Sequence, residues 1–600
     1  MTADADDHDA LCSMLSDRDL PVSVVPSDAG VDGSTDARGS TVFDADPDRS
    51  PESTFPQSVA SGDPTPTGVV LWTRIDPDAF VAGEPVGVEI AADEAFTEPV
   101  YRGVVDAERV APGHDHALNV ETDGLLDPDR FYHYRFTYDG VRSRVGRCHT
   151  LPAPESSPDD LRLAVVTCQD YTNGYYGAYH HVAEEDIDFL LHVGDFIYES
   201  VVGDYKGYGS RAYPGRELAL PSGHDLAWSL EDYRHLHATY RRDRLLQAAL
   251  ERHTLIAARD DHEFTDNVYW DDEAGAPRGP NHPRGDDPEF MTRLVADALE
   301  AWWEYTPARI DRDPDAETFD ERYRLWQAYE FGDLVDLVMT DERLYRDPPR
   351  NADSPLPTWL PVAFGRDAPE RSMLGTAQRD WFLDRMTGSR ATWTVWSDEV
   401  LSMPFKIGAG PATIHPSESG WDGYGDERRL ITATLAASDV SNFVTLTGDM
   451  HCYVAGYQQT EYRDALSGLL DGVLSDDDDA NTDEPMIDSR AGVEFMTPAM
   501  TSVTIAEAVG ASDGPVRNLT RRLLRWAVRA QNSHIRFFDS HHWGYSVVEF
   551  TPDDCTYTAY SVDKTVDSPD AERDVVAALR VPEGRVEIEE RDELDPRERP

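Results

Sequence analysis

IDFLLHVGDFIYE, residues 187–199, is apolar through most of its length and then breaks at Gly194-Asp195. That pattern describes a strand buried on both faces whose carboxyl end carries a carboxylate. Five further stretches repeat it: LRLAVVTC (161–168), LIAARDD (255–261), LVDLVMTDE (334–342), TWTVWSDEV (392–400) and FVTLTGDMH (443–451). Helical stretches alternate with them, so the region reads as α/β, and its polar residues gather at the end where open α/β sheets place their ligands.

Upstream, the short alternating runs GVVLWTRI (68–75), VGVEIAAD (86–93), RFYHYRFTYDG (130–140) and VRSRVGRCHTLP (141–152) are parted by Pro, Gly and Asp turns. This is the spacing of a small antiparallel sandwich over residues 52–152, with PAPESSPDD (152–160) as a linker. Residues 1–51, rich in Asp, Ser, Gly and Thr, read as a disordered acidic leader, and 569–600 as an acidic C-terminal tail. Within the α/β region, 203–250 and the surroundings of FMTRLVADALEAWWEYTP (290–307) read as helical insertions that could wall a site. The stretch around Asp476–Asp479 reads as an acidic surface loop.

Over the 600 residues, 54 Lys+Arg face 114 Asp+Glu, a net charge of −60, and Lys206, Lys406 and Lys564 are the only lysines. With 40% hydrophobic and 10% aromatic residues the chain has ample core, so the charge belongs to a folded surface rather than to disorder. Such a surface repels itself unless salt screens it, and acidic, lysine-poor globular proteins resemble those of extreme halophiles. Nucleic acid is excluded as a partner for want of a basic face in the composition. The five cysteines, Cys12, Cys148, Cys168, Cys452 and Cys555, are odd in number and scattered, and describe no disulfide framework. No apolar run is long enough to span a membrane, and the opening residues have neither a twin arginine nor an apolar core. The chain as written is therefore expected to be cytoplasmic and monomeric, or extracytoplasmic if an export signal lies upstream.

The chemistry-bearing residues follow the strands. Cys168 closes the first, Asp195 and Tyr198 the second, Asp260-Asp261-His262-Glu263 the third, and Asp449 and His451 the last. Singly, each has a plainer explanation: a Gly-Asp turn, an inert buried thiol, a rim aromatic, a solvated acidic turn. Four consecutive ionisable residues at a burial boundary are nevertheless costly unless a metal or hydrogen bonds compensate them.

Taken in order, strand-Cys, strand-GDxxY, strand-DDHE and strand-GDxH resembles the calcineurin-like metallophosphoesterases, and within them the alkaline phosphatase D (PhoD-like) family. The likeness extends through SVASGDPTPTGVVLWTRI (58–75), MTDERLYRD (339–347), LGTAQRDWFLDRM (374–386), WDGYGDERRL (421–430), VEFMTPAMTS (493–502) and HWGYSVVEF (542–550), about residues 52–565. It implies a four-layer sandwich of two mixed β-sheets flanked by helices over 160–568, behind an immunoglobulin- or fibronectin-III-like domain. It implies hydrolysis of a small phosphoester, or of a phospholipid or polymer phosphodiester, by a metal-activated hydroxide.

By the same resemblance, Cys168, Asp195, Tyr198 and His451 hold a ferric ion, and Asp195 bridges to a calcium site made by Asp261, Asp449 and Glu399. His262 stands beside the metals to serve the leaving oxygen. Arg343 and Arg428 are candidate phosphate contacts, with ion pairing as the competing role. Three departures stand out: Arg259 where the family usually shows Trp, Glu399 where Gln is common, and the missing twin arginine. A purple acid phosphatase would need Asp in place of Cys168 and Asn in place of Asp261. A non-catalytic binding protein on a degenerate phosphatase body is the alternative from a different class.

Overall fold

The computed structural model describes residues 9–29, 42–110, 112–201, 212–313, 322–349, 371–407, 415, 419–438, 440–462, 489–508, 510–512, 517–591 and 594. The acidic loop around Asp476–Asp479 lies outside them.

The six strands read from the sequence form in two sheets. Leu161–Val166, Phe189–His192 and Thr254–Ala257 run parallel in the centre of a ten-stranded sheet. Val335–Met339, Trp393–Ser397 and Phe443–Thr447 run parallel in a seven-stranded one. Leu161–Val166 and Val335–Met339 are buried along their whole length, as expected of strands covered on both faces. Leu163, Val165 and Leu191 of the first sheet pack against Leu337, Val395 and Leu446 of the second, which makes the middle of the sandwich. Helices cover the outer faces: Gly375–Gly388 and Gly425–Ala437 over the second sheet through Phe382, Trp396 and Ile431, and a larger helical layer over the first. The architecture is the expected four-layer α/β/β/α sandwich.

That larger layer centres on Pro288–Tyr305, an 18-residue helix that buries Phe290, Leu294, Leu299 and Trp302 among others. Asp287 caps it by accepting the Phe290 N–H at 3.1 Å, and Pro288 suits its first turn. The insertion at 230–252 is two helices, Leu230–Tyr240 and Arg244–Arg252, separated by Asp243, whose carboxylate accepts the Leu245 and Leu246 N–H groups at 2.8 and 3.1 Å.

The two ends of the chain differ from expectation, and the N-terminal domain shares a sheet with its neighbour. Within the supposed leader, Asp9–Ser16 is a helix whose Leu11 and Leu15 enter the core, and Arg18 pairs with Asp297 and Glu300 of Pro288–Tyr305 at 2.6 and 2.5 Å. Apolar burial one turn apart plus a paired charge is enough to hold this segment down despite its acidic composition. The N-terminal β-sandwich forms as expected, and one of its two sheets is shared with the α/β body. Val59–Thr65 joins Thr254–Ala257 in parallel, so Val59–Thr65, Gly68–Arg74 and Ala117–Glu121 extend the ten-stranded sheet. A small sheet containing Val86–Ala91 and Phe131–Tyr138 packs on that extension through Val69, Leu71, Val88 and Tyr134. The acidic tail, finally, supplies Arg573–Pro582, ten residues paired antiparallel with Asp554–Val562 near the sheet's edge.

The surface that remains carries the charge excess, and we expect dilution of the protein from concentrated KCl into low-salt buffer to unfold it, read as loss of far-ultraviolet circular dichroism. An unchanged spectrum and melting temperature in low salt would contradict the halophilic reading.

Candidate functional site

Because the central strands of both sheets run parallel, their carboxyl ends bring several loops to one edge of the sandwich. Cys168, Asp195, Asp449 and His451 all take positive φ there, at 53°, 60°, 66° and 53°. Left-handed backbone costs a non-glycine residue on the order of 1 kcal/mol, and its repetition at four neighbouring loop positions marks a functional edge.

Hydrogen bonds hold the loops in place. Cys168 N–H donates to Gly194 O at 3.3 Å, while Thr501 and Ser502 N–H groups donate to Cys168 O at 3.3 and 3.2 Å. Glu263 ties the second loop to the third, since its carboxylate accepts the N–H groups of Asp195 at 3.0 Å, Phe196 at 2.5 Å and Asp260 at 2.8 Å. Gly194 has φ +100°, and a Cβ there would overlap Asp260. Gly194→Ala is expected to destabilise the protein by about 2 kcal/mol or more and to pry these two loops apart. A melting temperature equal to that of the wild type would contradict this.

The structure brings Cys168, Asp195 and His451 together, with a sulfur, a carboxylate oxygen and a ring nitrogen all within 4.8 Å of one another. Tyr198 closes the group: its hydroxyl donates to Asp195 Oδ2 at 3.0 Å and lies 3.2 Å from His451 Nε2. His451 Nδ1 is 2.6 Å from Val503 O, which makes Nδ1 the protonated nitrogen and leaves Nε2 as the lone-pair atom facing the cluster. Burial lowers the His451 pKa to about 4, so the ring is neutral. Burial also raises the Cys168 thiol, and Asp195 adds to it; burial and neighbouring carboxylates raise Asp195, and burial raises Tyr198. A thiol, a carboxyl, a phenol and an imidazole crowded together in a buried cluster fit a cation, the one group whose presence favours the anionic forms of the first three and the imidazole lone pair at once.

Asp195, Asp261 and His262 form an adjoining group, again with ligand atoms within 4.8 Å. The DDHE stretch is buried, not a solvated turn: Asp260, Asp261, His262 and Glu263 are 0, 4, 6 and 1% exposed. His262 Nδ1 lies 2.7 Å from Glu199 Oε2, the His262 backbone N–H donates to Asp195 Oδ1 at 3.3 Å, and its ring stacks on Tyr198 with centroids 4.0 Å apart. Burial opposes charging this imidazole, yet Glu199, Asp195 and Asp261 outweigh burial and raise its pKa well above the ordinary histidine value.

Asp449 approaches Asp261 through Arg343, whose guanidinium pairs with Asp260, with Asp261 at 3.3 Å and with Asp449 at 2.8 Å. Arg343 is 1% exposed, so the surface ion pair weighed for it from sequence is corrected to a buried one among site carboxylates. Asp260 Oδ2 remains without a hydrogen-bond partner among the described residues.

Glu399 lies at the neighbouring strand end, where its backbone carbonyl accepts the Gly448 N–H at 3.1 Å, next to Asp449. Its carboxylate accepts the Glu342 N–H at 3.0 Å while Glu342 accepts the Glu399 N–H at 3.2 Å, a reciprocal clasp between neighbouring strand ends. Arg428 sits on Asp422 at 3.2 Å. Arg259 lies over Trp302 and donates to Leu325 O, lining a different cavity with Asp63, Arg309 and Tyr329. The acidic group of His114, Glu300 and Glu304 is already neutralised by Arg18 and Arg234. Sequence reasoning passes over Glu199, although it follows Tyr198 directly, and the latching role of Glu263.

Comparison with known proteins gives the family. A family model described as PhoD-like phosphatase matches residues 163–559, and one described as PhoD-like phosphatase, N-terminal domain, matches 41–152. Alkaline phosphatase D of Bacillus subtilis (strain 168) is 31% identical over 506 residues, covering 83% of this chain and 76% of that protein. A solved structure of PhoD has a TM-score of 0.73 at 28% identity and covers 92% of this chain and 94% of its own. The chain belongs to the PhoD-like phosphatase family.

Proposed function

We propose that this metal-dependent phosphoester hydrolase cleaves phosphodiesters and phosphomonoesters at the loop edge described above, with Cys168, Asp195, Tyr198 and His451 holding a ferric ion. Asp195 would be shared with a calcium site that includes Asp261 and Asp449, since oxygen-only donors suit that cation. The observation that carries the reading is the approach of Cys168, Asp195 and His451 to within 4.8 Å in a family of phosphatases. Glu399, whose Oε2 accepts the Glu342 N–H, is a further candidate for the calcium site through its other oxygen.

Such cations supply Lewis acidity to a water and to the ester oxygens. The remaining work falls to the chain. Glu199 fixes the His262 ring through Nδ1, so Nε2 is the atom left to hold a proton for the departing oxygen. Stacking on Tyr198 fixes the plane of that ring. Glu263 keeps the Asp195 and Asp260 loops in register, and the positive-φ turns aim Asp195 and His451 at one point.

Glu199→Gln is therefore expected to lower kcat by about 10- to 100-fold with little change in KM, and to move the basic limb of the pH–rate profile to lower pH, because Glu199 is the main charge holding the His262 proton. An unshifted profile would remove His262 from proton transfer. The reading as a whole is tested by hydrolysis of a chromogenic phosphodiester and its matching monoester in concentrated KCl with calcium. Turnover of at least one ester is expected, and no turnover by metal-replete protein would overturn it in favour of a binding protein on a phosphatase body.

A further inference from the structure

The helix Arg517–Gln531, RNLTRRLLRWAVRAQ, departs from the chain around it. Residues 514–538 contain six arginines and no Asp or Glu, in a protein of net charge −60. Its inner side is accounted for. Val528 is buried, and it and Leu524 pack with Phe405, Cys452 and Phe538. Arg525 donates to Phe538 O at 2.9 Å, Arg521 and Arg525 reach Asp539 at 3.4 and 3.3 Å, and Arg517 donates to His541 O at 3.0 Å.

The outer side is covered by nothing among the described residues. Leu519, Leu523 and Trp526 are 58, 54 and 71% exposed, and their spacing of four and three puts them in one stripe. Beside it stand Arg522, Arg529 and, on the next strand, Arg536, all exposed and without a carboxylate partner among the described residues. On a surface otherwise dominated by carboxylates, this is a cationic, apolar face.

We propose that this face docks on an anionic phospholipid bilayer. Guanidinium groups match lipid phosphates, and leucines with a tryptophan match the boundary between headgroups and acyl chains. An acidic polymer without apolar groups would satisfy the arginines but leave Leu519, Leu523 and Trp526 in water; the chain's own stretch at 466–484, which carries Leu466, Leu469, Leu470 and Leu474 ahead of its Asp run, is the competing occupant that the test below distinguishes. A bilayer satisfies both halves of the face. Salt weakens only the first half, so part of the binding should persist in concentrated KCl.

The face is also joined to the site. The start of the helix lies beside Asp539–His541, and the strand Ile535–Asp539 pairs antiparallel with Tyr453–Gln459. Tyr453 faces Asp539 and is two residues beyond His451. Docking through the helix would therefore hold the edge that carries His451 close to the headgroup plane.

The test is sedimentation of the full-length protein with vesicles of phosphatidylglycerol or of phosphatidylcholine, in the lowest KCl that keeps it folded. Phosphatidylglycerol should carry down at least about tenfold more protein. The triple variant Arg522→Gln/Arg529→Gln/Arg536→Gln should fall to the phosphatidylcholine level, and Leu519→Ser/Leu523→Ser/Trp526→Ser should bind less and lose its residual binding at high salt. Both variants should turn over a soluble chromogenic ester like the wild type, which confirms their folding. No preference between vesicles, or an arginine variant that binds as well as the wild type, would overturn the proposal. So would pelleting that begins only when residues 463–488 are deleted, which would assign the face to that segment. A concentration-dependent dimer abolished by the serine variant would overturn it too, in favour of a second copy of the chain.

Discussion

Cys168→Ala is expected to yield a folded protein that has lost its iron and at least about 100-fold of its turnover. The expectation follows from what surrounds the sulfur. Cys168 is fully buried at a strand end, its nearest polar neighbours are Thr167 Oγ1 at 3.1 Å and the Asp195 and His451 ligand atoms, and it takes part in no disulfide. Its backbone bonds to Gly194, Thr501 and Ser502 do not depend on the side chain, so the loop should survive the change. Even outer-sphere losses at metal sites cost about 10- to 100-fold, and loss of a direct ligand should cost more. Iron content by mass spectrometry and ester turnover on the same sample check it. Full iron occupancy with full activity would show that Cys168 is a packing residue.

Arg343→Gln should have the largest effect on stability. The guanidinium is the only cation paired with Asp260, Asp261 and Asp449 among the described residues, and it is buried with them. Removing one partner from a buried ionic group costs about 3–5 kcal/mol, because the remaining charges must be buried unpaired or take up protons. The variant should therefore melt several degrees below the wild type in chelator. Added calcium should restore more of the melting temperature in the variant than in the wild type, since a cation can replace what the guanidinium supplied. Equal melting in chelator would mean that the three carboxylates are protonated or hydrated, with no need of Arg343.

Much of this edge is legible in the sequence, and for a definable reason. Cys168, Asp195, Asp449 and His451 each sit just after a strong apolar run, so strand periodicity carries each of them to the carboxyl end of a parallel strand, the first two in one sheet and the last two in the other. The family resemblance then relates the runs to one another. The burial of Arg343 is not legible, because nothing in TDERLYRD distinguishes a buried guanidinium from a surface one. It depends on carboxylates contributed by strand ends 83 and 106 residues away. Glu399 follows a strand as the site residues do, and the reciprocal clasp with Glu342 on the adjacent strand end is the part of its setting that the sequence does not show.

The fold shows the same division. Pro288–Tyr305 and the paired helices about Asp243 are visible as periodic, capped segments. Asp9–Ser16 is not, because eight residues flanked by Asp and Ser carry little periodic signal, and its stability comes from Leu11, Leu15 and Arg18 meeting a helix almost 300 residues away. Arg573–Pro582 is hidden by the charges that an edge-proximal strand carries on its open face.

The central claim is an iron site completed by a tyrosine. A phenolate bound to ferric iron absorbs visible light by charge transfer, whereas calcium and zinc sites do not. The most direct measurement is the visible spectrum of the purified protein, taken with its iron content, for the wild type and for Tyr198→Phe. The account predicts a coloured wild type with about one iron per chain and a variant that keeps some iron but loses the phenolate band, leaving only the charge transfer of the Cys168 thiolate. A colourless wild type without iron, active all the same, would contradict it.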